Sequence, residues 1–150
     1  MTEYIKKVSL PVDESGFLRR ECPYCRRQFK VHMDEIESLE DQEDHYCPYC
    51  GQIADGSEWW TQEQEDYFRK VQENIAADLL NEHLIRPLKR SLSRSSCMRF
   101  EGKEVEKRNE LIQPELDDMK LFALPCCQKK LKIVDEWEEV VHCYYCGFQH

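Results

Sequence analysis

The sequence predicts an α+β chain with two small cysteine-nucleated antiparallel modules, one near each end, joined by a long amphipathic helix and a basic linker. Three observations predict this class. Eight of the nine cysteines fall into four tight clusters. Short alternating apolar runs, the period of a strand, follow the first cluster of each half. Between the halves, apolar residues recur at three- and four-residue steps, the period of a helix with one buried face.

The chain has 150 residues, 41% hydrophobic and 34% charged, with a net charge of -9. Metal ligation suits such a balance better than one large apolar core, because it replaces missing burial in a small unit. The acidity argues against whole-surface attraction to nucleic-acid phosphates, though not against a local basic patch. No apolar run is long enough to span a membrane. The opening residues, from Met1 to Lys7, lack the apolar stretch of a signal peptide. A cytoplasmic, reducing location is the expectation, and there the cysteines are metal ligands rather than disulfides.

The first module opens with Cys22-Pro23-Tyr24-Cys25 and closes with Cys47-Pro48-Tyr49-Cys50-Gly51, with 21 residues between the pairs. Two cysteines two residues apart share one tight turn, so both thiolates reach a single tetrahedral ion at about 2.3 Å. A glycine after the last ligand permits the positive φ such turns use. Four thiolates then define a structural zinc site at Cys22, Cys25, Cys47 and Cys50 that leaves no position for water. Cys-Pro-Tyr-Cys also resembles the glutaredoxin active site, giving a thiol-redox alternative. That motif follows a buried strand and opens a helix, whereas Cys25 leads into the strand-like Phe29-Lys30-Val31 and Cys50 into Gly51.

The second module repeats the plan. Cys126-Cys127 precedes Leu131-Lys132-Ile133 at the spacing seen between Cys25 and Phe29, and Cys143-Tyr144-Tyr145-Cys146-Gly147 closes it. Acidic, hairpin-like segments lie between, Asp34 to Asp44 in one copy and Asp135 to Glu139 in the other. This reads as a duplicated module with a period near 100 residues. By register Cys127 corresponds to Cys25, and Leu124 stands where Cys22 stands. The second zinc therefore takes Cys127, Cys143 and Cys146, with Cys126 or His142 as the fourth ligand. Two Zn2+ per chain are expected.

On these residues, the two halves resemble zinc ribbons of the kind found in transcription factor IIB, and the chain is similar to bacterial proteins described as zinc-ribbon-containing. The matching positions are Cys22, Cys25, Cys47, Cys50 and Gly51, then Cys126, Cys127, Cys143, Cys146 and Gly147, and the resemblance covers about half of the chain. The resemblance implies a three-stranded antiparallel sheet under two knuckles in each module. It also implies docking to a protein machine or nucleic acid, with the metal playing no chemical part.

In the middle, Thr61 and Gln64 match a capping box, and Trp59 and Trp60 could form a hydrophobic staple. Phe68, Val71, Ile75 and Leu79, flanked by Tyr67, Leu80 and Leu84, predict an amphipathic helix of about six turns ending before Pro87. The expected organisation is 1–57 for the first ribbon, 58–86 for the helix, 87–118 for a basic and then charged linker, and 119–150 for the second ribbon. The segment 86–99 carries five basic residues and no acid. Cys97, without a neighbouring ligand, reads as a small buried or free thiol, and Met119 to Leu124 reads as a strand.

No phosphate loop, nucleophile elbow or His-x-Glu deaminase signature accompanies the cysteines, so the chain is expected not to be an enzyme and to have no small-molecule substrate. The function expected is a non-enzymatic zinc-binding adaptor or accessory subunit. It would dock to a protein partner through its ribbons, with the knuckle tyrosines Tyr24, Tyr49, Tyr144 and Tyr145 exposed, and through its central helix. The alternative is nucleic-acid binding through 86–99 together with Arg19, Arg20, Arg26 and Arg27. No membrane contact is expected.

Overall fold

A computed structural model describes residues 10–37, 44–94, 97–98 and 101–150. The elements run β1 (Phe17–Glu21), β2 (Gln28–His32), α1 (Met33–Glu37), β3 (Asp44–Tyr46), β4 (Ile53–Asp55), α2 (Gln62–Leu80), a π turn (Asn81–Ile85), α3 (Arg86–Leu92), β5 (Lys120–Leu124) and β6 (Lys129–Ile133). Among the described residues no helix is long and apolar enough to cross a membrane. The chain divides into two compact units. One is built on Glu65–Leu111, the other on Leu10–Gln64 with Ile112–His150.

The second of these holds all eight clustered cysteines. Its strand-like triplets form β2 and β6, as their alternation predicts. Each is the inner strand of an antiparallel hairpin, and the two hairpins join edge to edge in one four-stranded sheet of order β1-β2-β6-β5. Separate three-stranded sheets are therefore not what forms. The first module has the β1-β2 and β3-β4 hairpins, and the second has β5-β6 with an isolated bridge from His142 to Gln149. A lone hairpin has two unpaired edges, and joining β2 to β6 removes one from each.

The seam between the hairpins is centred on two lysines. Lys30 faces Lys132, and Val31 faces Leu131. On one face, Phe29, Val31, Leu131 and Ile133 meet Trp59, Tyr144 and Leu124 in the core. Phe29 and Trp59 pack edge to face at 5.8 Å, and each such buried side chain contributes about 1.5–3 kcal/mol. On the other face Arg19, Lys30 and Lys132 stand directly opposite one another on β1, β2 and β6. Like charges so placed repel. Asp13 answers them, 2.7 Å from Lys132 and 3.5 Å from the fully buried Lys30.

The acidic stretch expected to be hairpin-like begins as α1, and its residues 38–43 lie outside the described residues, as do Met1 to Lys7. Thr61 and Gln64 make the capping box reciprocally, Gln64 N–H to Thr61 Oγ1 at 3.1 Å and Thr61 N–H to Gln64 Oε1 at 3.0 Å. The staple does not form. Its helical position is the exposed Glu65, and Trp59 enters the sheet core instead.

Within the Glu65–Leu111 unit the helix does not stop at Pro87. The Arg86 N–H bonds to Asn81 O, five residues back, and α3 starts with Pro87 in its first turn. A proline lacks the N–H and its ring meets the carbonyl four residues back. The wider π turn removes that conflict, so α2 passes into α3. The first part of the basic segment is thus helical, and Arg86 is paired with Glu104 at 2.7 Å. Cys97 is exposed, and Arg99 lies outside the described residues.

Two buried asparagines then hold a segment without regular structure against the helix. Asn74 binds the backbone N–H and C=O of Arg108, both at 2.7 Å, and Asn81 binds those of Val105 at 2.8 and 3.0 Å. Seven helical residues rise about 10.5 Å, and three extended residues cover about 10 Å. The two spacings therefore match. Asn81→Ala removes both bonds to Val105, and amide exchange at Val105 should then rise about tenfold, equivalent to about 1.4 kcal/mol. Unchanged exchange would show that the asparagine is not what holds the segment.

Asp13 also sets a pH dependence. Burial pushes its carboxyl up, but the bonds from Lys132 and from the Phe17 and Ser15 amides outweigh this and hold it below the ordinary range. A depressed carboxyl stabilises the fold fully above its unfolded pKa of about 3.9, and that contribution is lost as pH falls through the folded value. The urea midpoint should drop on acidification below about pH 4, and the drop should be shallower in Asp13→Asn.

Candidate metal centres

Every cysteine pair sits on the same kind of turn. Counting from the first ligand, residue 1 pairs its N–H with the carbonyl of residue 6, and residue 5 returns an N–H to its carbonyl. This holds for Cys22 with Arg27 and Arg26, Cys47 with Gln52 and Gly51, and Cys143 with Phe148 and Gly147. Position 5 has φ of +62° at Arg26, +73° at Gly51 and +79° at Gly147. Within each turn, backbone N–H groups point at the first sulfur: Tyr24 to Cys22, Tyr49 to Cys47 and Tyr145 to Cys143, each at 3.4 Å. None of these turns opens a helix; β2 follows Cys25 and β4 follows Cys50.

The fourth turn keeps the positive φ with different side chains and returns its N–H from position 4, Cys127 to Leu124 O at 3.3 Å. Leu124 pairs with Lys129, and Gln128 at position 5 has φ of +55°. Leu124 takes the first-ligand position and turns into the core, fully buried. Its sulfur is replaced by Cys126 at position 3, where Tyr24 stands 52% exposed in the first turn. Cys126 is accordingly exposed.

The sulfurs of Cys22, Cys25, Cys47 and Cys50 lie within 4.8 Å of one another, and so do those of Cys126, Cys127, Cys143 and Cys146. Cys22 to Cys50, Cys25 to Cys47 and Cys127 to Cys143 are each 3.7 Å apart. A tetrahedron with metal–sulfur bonds of about 2.3 Å has edges of about 3.8 Å, so both sets fit one tetrahedral ion. His142, the other fourth-ligand candidate, is engaged elsewhere. Its N–H bonds to Pro48 O at 2.9 Å, and its ring lies where a side chain on Gly51 would be.

Without an ion the thiols compete. Burial pushes Cys22 and Cys47 up. Burial raises Cys25 too, but the Arg27 N–H and the Cys22 thiol outweigh it and hold Cys25 down, while the Phe148 N–H holds Cys146 down. Four crowded thiolates need a cation, so metal loading releases protons. The two sets differ in cover. Cys22 and Cys47 are fully buried in the first, whereas Cys126 and Cys146 are both exposed in the second. His150 Nε2 lies 3.1 Å from Cys126 Sγ, a neighbour no spacing rule singles out, since it is placed by paired backbone bonds with Val141.

The two closing knuckles pack on each other reciprocally. Tyr46 donates its N–H to Tyr144 O and its ring sits over Gly147; His142 donates to Pro48 O and its ring sits over Gly51. This contact corrects the expectation of four exposed knuckle tyrosines. Tyr24 is exposed, but Tyr144 is fully buried, stacked on His45 at 4.2 Å. Tyr49 is buried as well, donating to Gln28 O and accepting from Val134 N–H. Burial pushes its phenol up to about 12, so it stays protonated and serves both bonds. Of the arginines considered for nucleic acid, Arg19 is bound to Glu115 and Asp118, and Arg20 is buried under Trp60; Arg26 and Arg27 are exposed.

Fold and site together define an α+β chain with two four-cysteine clusters that could each hold a metal ion. Comparison with protein-family models, with curated proteins and with solved structures finds no match in any of the three.

The knuckle contact makes a stability prediction. A Cβ at Gly51 would lie 2.8 Å from the His142 ring, at a φ that costs an L-residue about 1–2 kcal/mol. Gly51→Ala should lower the thermal midpoint, and adding His142→Ala should recover the steric part only. Full recovery in the double variant would show that the positive φ costs nothing here.

Proposed function

We propose that this chain is a non-enzymatic, zinc-binding adaptor or accessory subunit, with Cys22, Cys25, Cys47 and Cys50 holding one zinc and Cys126, Cys127, Cys143 and Cys146 a second. The observation that carries the reading is the closure of both donor sets: four sulfurs at tetrahedral separation leave no coordination position for substrate or water. We read the two modules as copies of one zinc-ribbon-like unit. Support comes from the shared turn backbone, the alignment of Lys30 with Lys132, and the reciprocal knuckle contacts. When bound, each ion cross-links two turns that the chain brings from distant positions; the protein's residues position those turns and seal them.

Docking to a protein partner uses the surfaces the sites hold in place and the helix. Tyr24 beside the first site, Phe148 beside the second, and Leu79, Leu80 and Leu84 on the helix are among the exposed apolar groups that could serve. Metal content measured on purified protein should give two zinc ions per chain, falling to one in Cys25→Ser or Cys127→Ser. One ion in the unmutated chain would end the two-site reading. With a chelator the second site should empty first, because its outer sulfurs face solvent. For docking, Leu80→Glu with Leu84→Glu should reduce partner capture while zinc content stays at two; unchanged capture would remove the helix from the interface.

A further inference from the structure

The sheet face opposite the core carries a row of three cations. Arg19, Lys30 and Lys132 are directly opposed on three neighbouring strands, and Leu121 continues the row on β5. Such a row repels itself, and a fully buried ammonium such as Lys30 requires a counter-charge. Asp13 supplies one from beneath the fold. The rest come from Glu115-Leu116-Asp117-Asp118, a segment without regular structure lying over the row. Arg19 bonds Glu115 at 2.7 Å and Asp118 at 2.6 Å. Lys30 reaches Glu115 and Asp118 at 3.1 Å each and donates to Leu116 O. Lys132 bonds Asp117 at 3.0 Å.

The segment is held by ion pairs, with only the Glu115 side chain, 9% exposed, well covered. Leu116, its apolar residue, is 68% exposed, and the Asp117 and Asp118 side chains are 52% and 46% exposed. Open cavities flank it on both sides. One of 220 Å³ lies between Arg19 and Gln28 and the segment's own Glu115 and Leu116, and one of 720 Å³ lies beside His32, Lys130 and Lys132, with Asp34 and Glu35 also in its wall. The segment's contacts match carboxylates at its first, third and fourth positions to a fixed line of cations, with one backbone carbonyl on the central ammonium.

We propose that this face is a docking site for an acidic, extended peptide segment of a partner protein, with acids at its first, third and fourth positions, and that residues 115–118 occupy it in cis. The site stands apart from the reading of the metal centres, because no cysteine takes part in it. Being tethered, the internal segment has a high effective concentration, so the unmutated chain binds such a peptide weakly. A partner's segment competes by adding contacts in the flanking cavities. Lys30 and Asp13 remain paired when the internal segment leaves, which keeps the sheet intact during exchange.

The test uses the full chain with E115Q, D117N and D118N together, and a synthetic peptide carrying Glu-Leu-Asp-Asp. The triple variant should melt below the unmutated chain, and millimolar peptide should raise its melting temperature. Its affinity for the peptide, by calorimetry, should exceed that of the unmutated chain at least tenfold and weaken with salt. The Gln-Leu-Asn-Asn peptide should do neither. Should the triple variant fail to fold, D118N alone, which neutralises a half-exposed carboxylate, is measured with the same peptides. Absence of peptide binding in the folded variant would overturn the proposal. So would equal binding of the neutral peptide, or binding of inorganic polyphosphate or an oligonucleotide but not of the acidic peptide. Zinc content, read on the same samples, should stay unchanged whichever result is obtained.

Discussion

The pairing of β2 with β6 is the constraint from which the cysteine-bearing unit follows. It places Lys30 against Lys132 and so fixes which residues share a face. Phe29, Val31, Leu131 and Ile133 fall together on one side and make a core that neither hairpin could close alone. The same alignment stacks three cations on the other side, and the acids around them are its consequence. It also brings the two closing knuckles within reach, where a ring from each covers the glycine of the other.

The two candidate metal centres show how similar turns can carry two cysteine patterns. All four turns share the positive φ at their fifth residue, and three place their first cysteine inward. In the fourth, Leu124 goes to the core and the ligand moves two residues along, to a position that faces out. The tetrahedral set survives while its cover is lost. Burial of a sulfur governs how readily solvent, chelators or oxidants reach it, so the two centres differ in accessibility although both have four sulfurs.

Much of this was legible beforehand because the signals were local. Cysteine pairs two residues apart, the strand-like triplets and the Thr61–Gln64 box each depend on a few neighbouring side chains, and each forms in the structure. Pro87 misled for a definite reason: a proline stops a regular α-helix, and the π turn before it changes the geometry on which that rule rests. The positive φ at Arg26 and Gln128 was not readable, because neither is a glycine. The stretch 101–111 has no periodicity to read, since the bonds from Asn74 and Asn81 to Arg108 and Val105 go to backbone groups that every residue type offers.

By itself the sequence determined the cysteine groups, the strands beside them and the capped helix. These are set by spacing, and spacing is a property of the chain. Only the tertiary structure decided that the halves share one sheet, that Cys126 joins the second set while His142 packs on Gly51, and that Tyr49 and Tyr144 are interior. It alone placed Glu115, Asp117 and Asp118 over Arg19, Lys30 and Lys132. Those outcomes depend on which edges pair and which faces meet, and residues about 100 positions apart carry no local record of that choice.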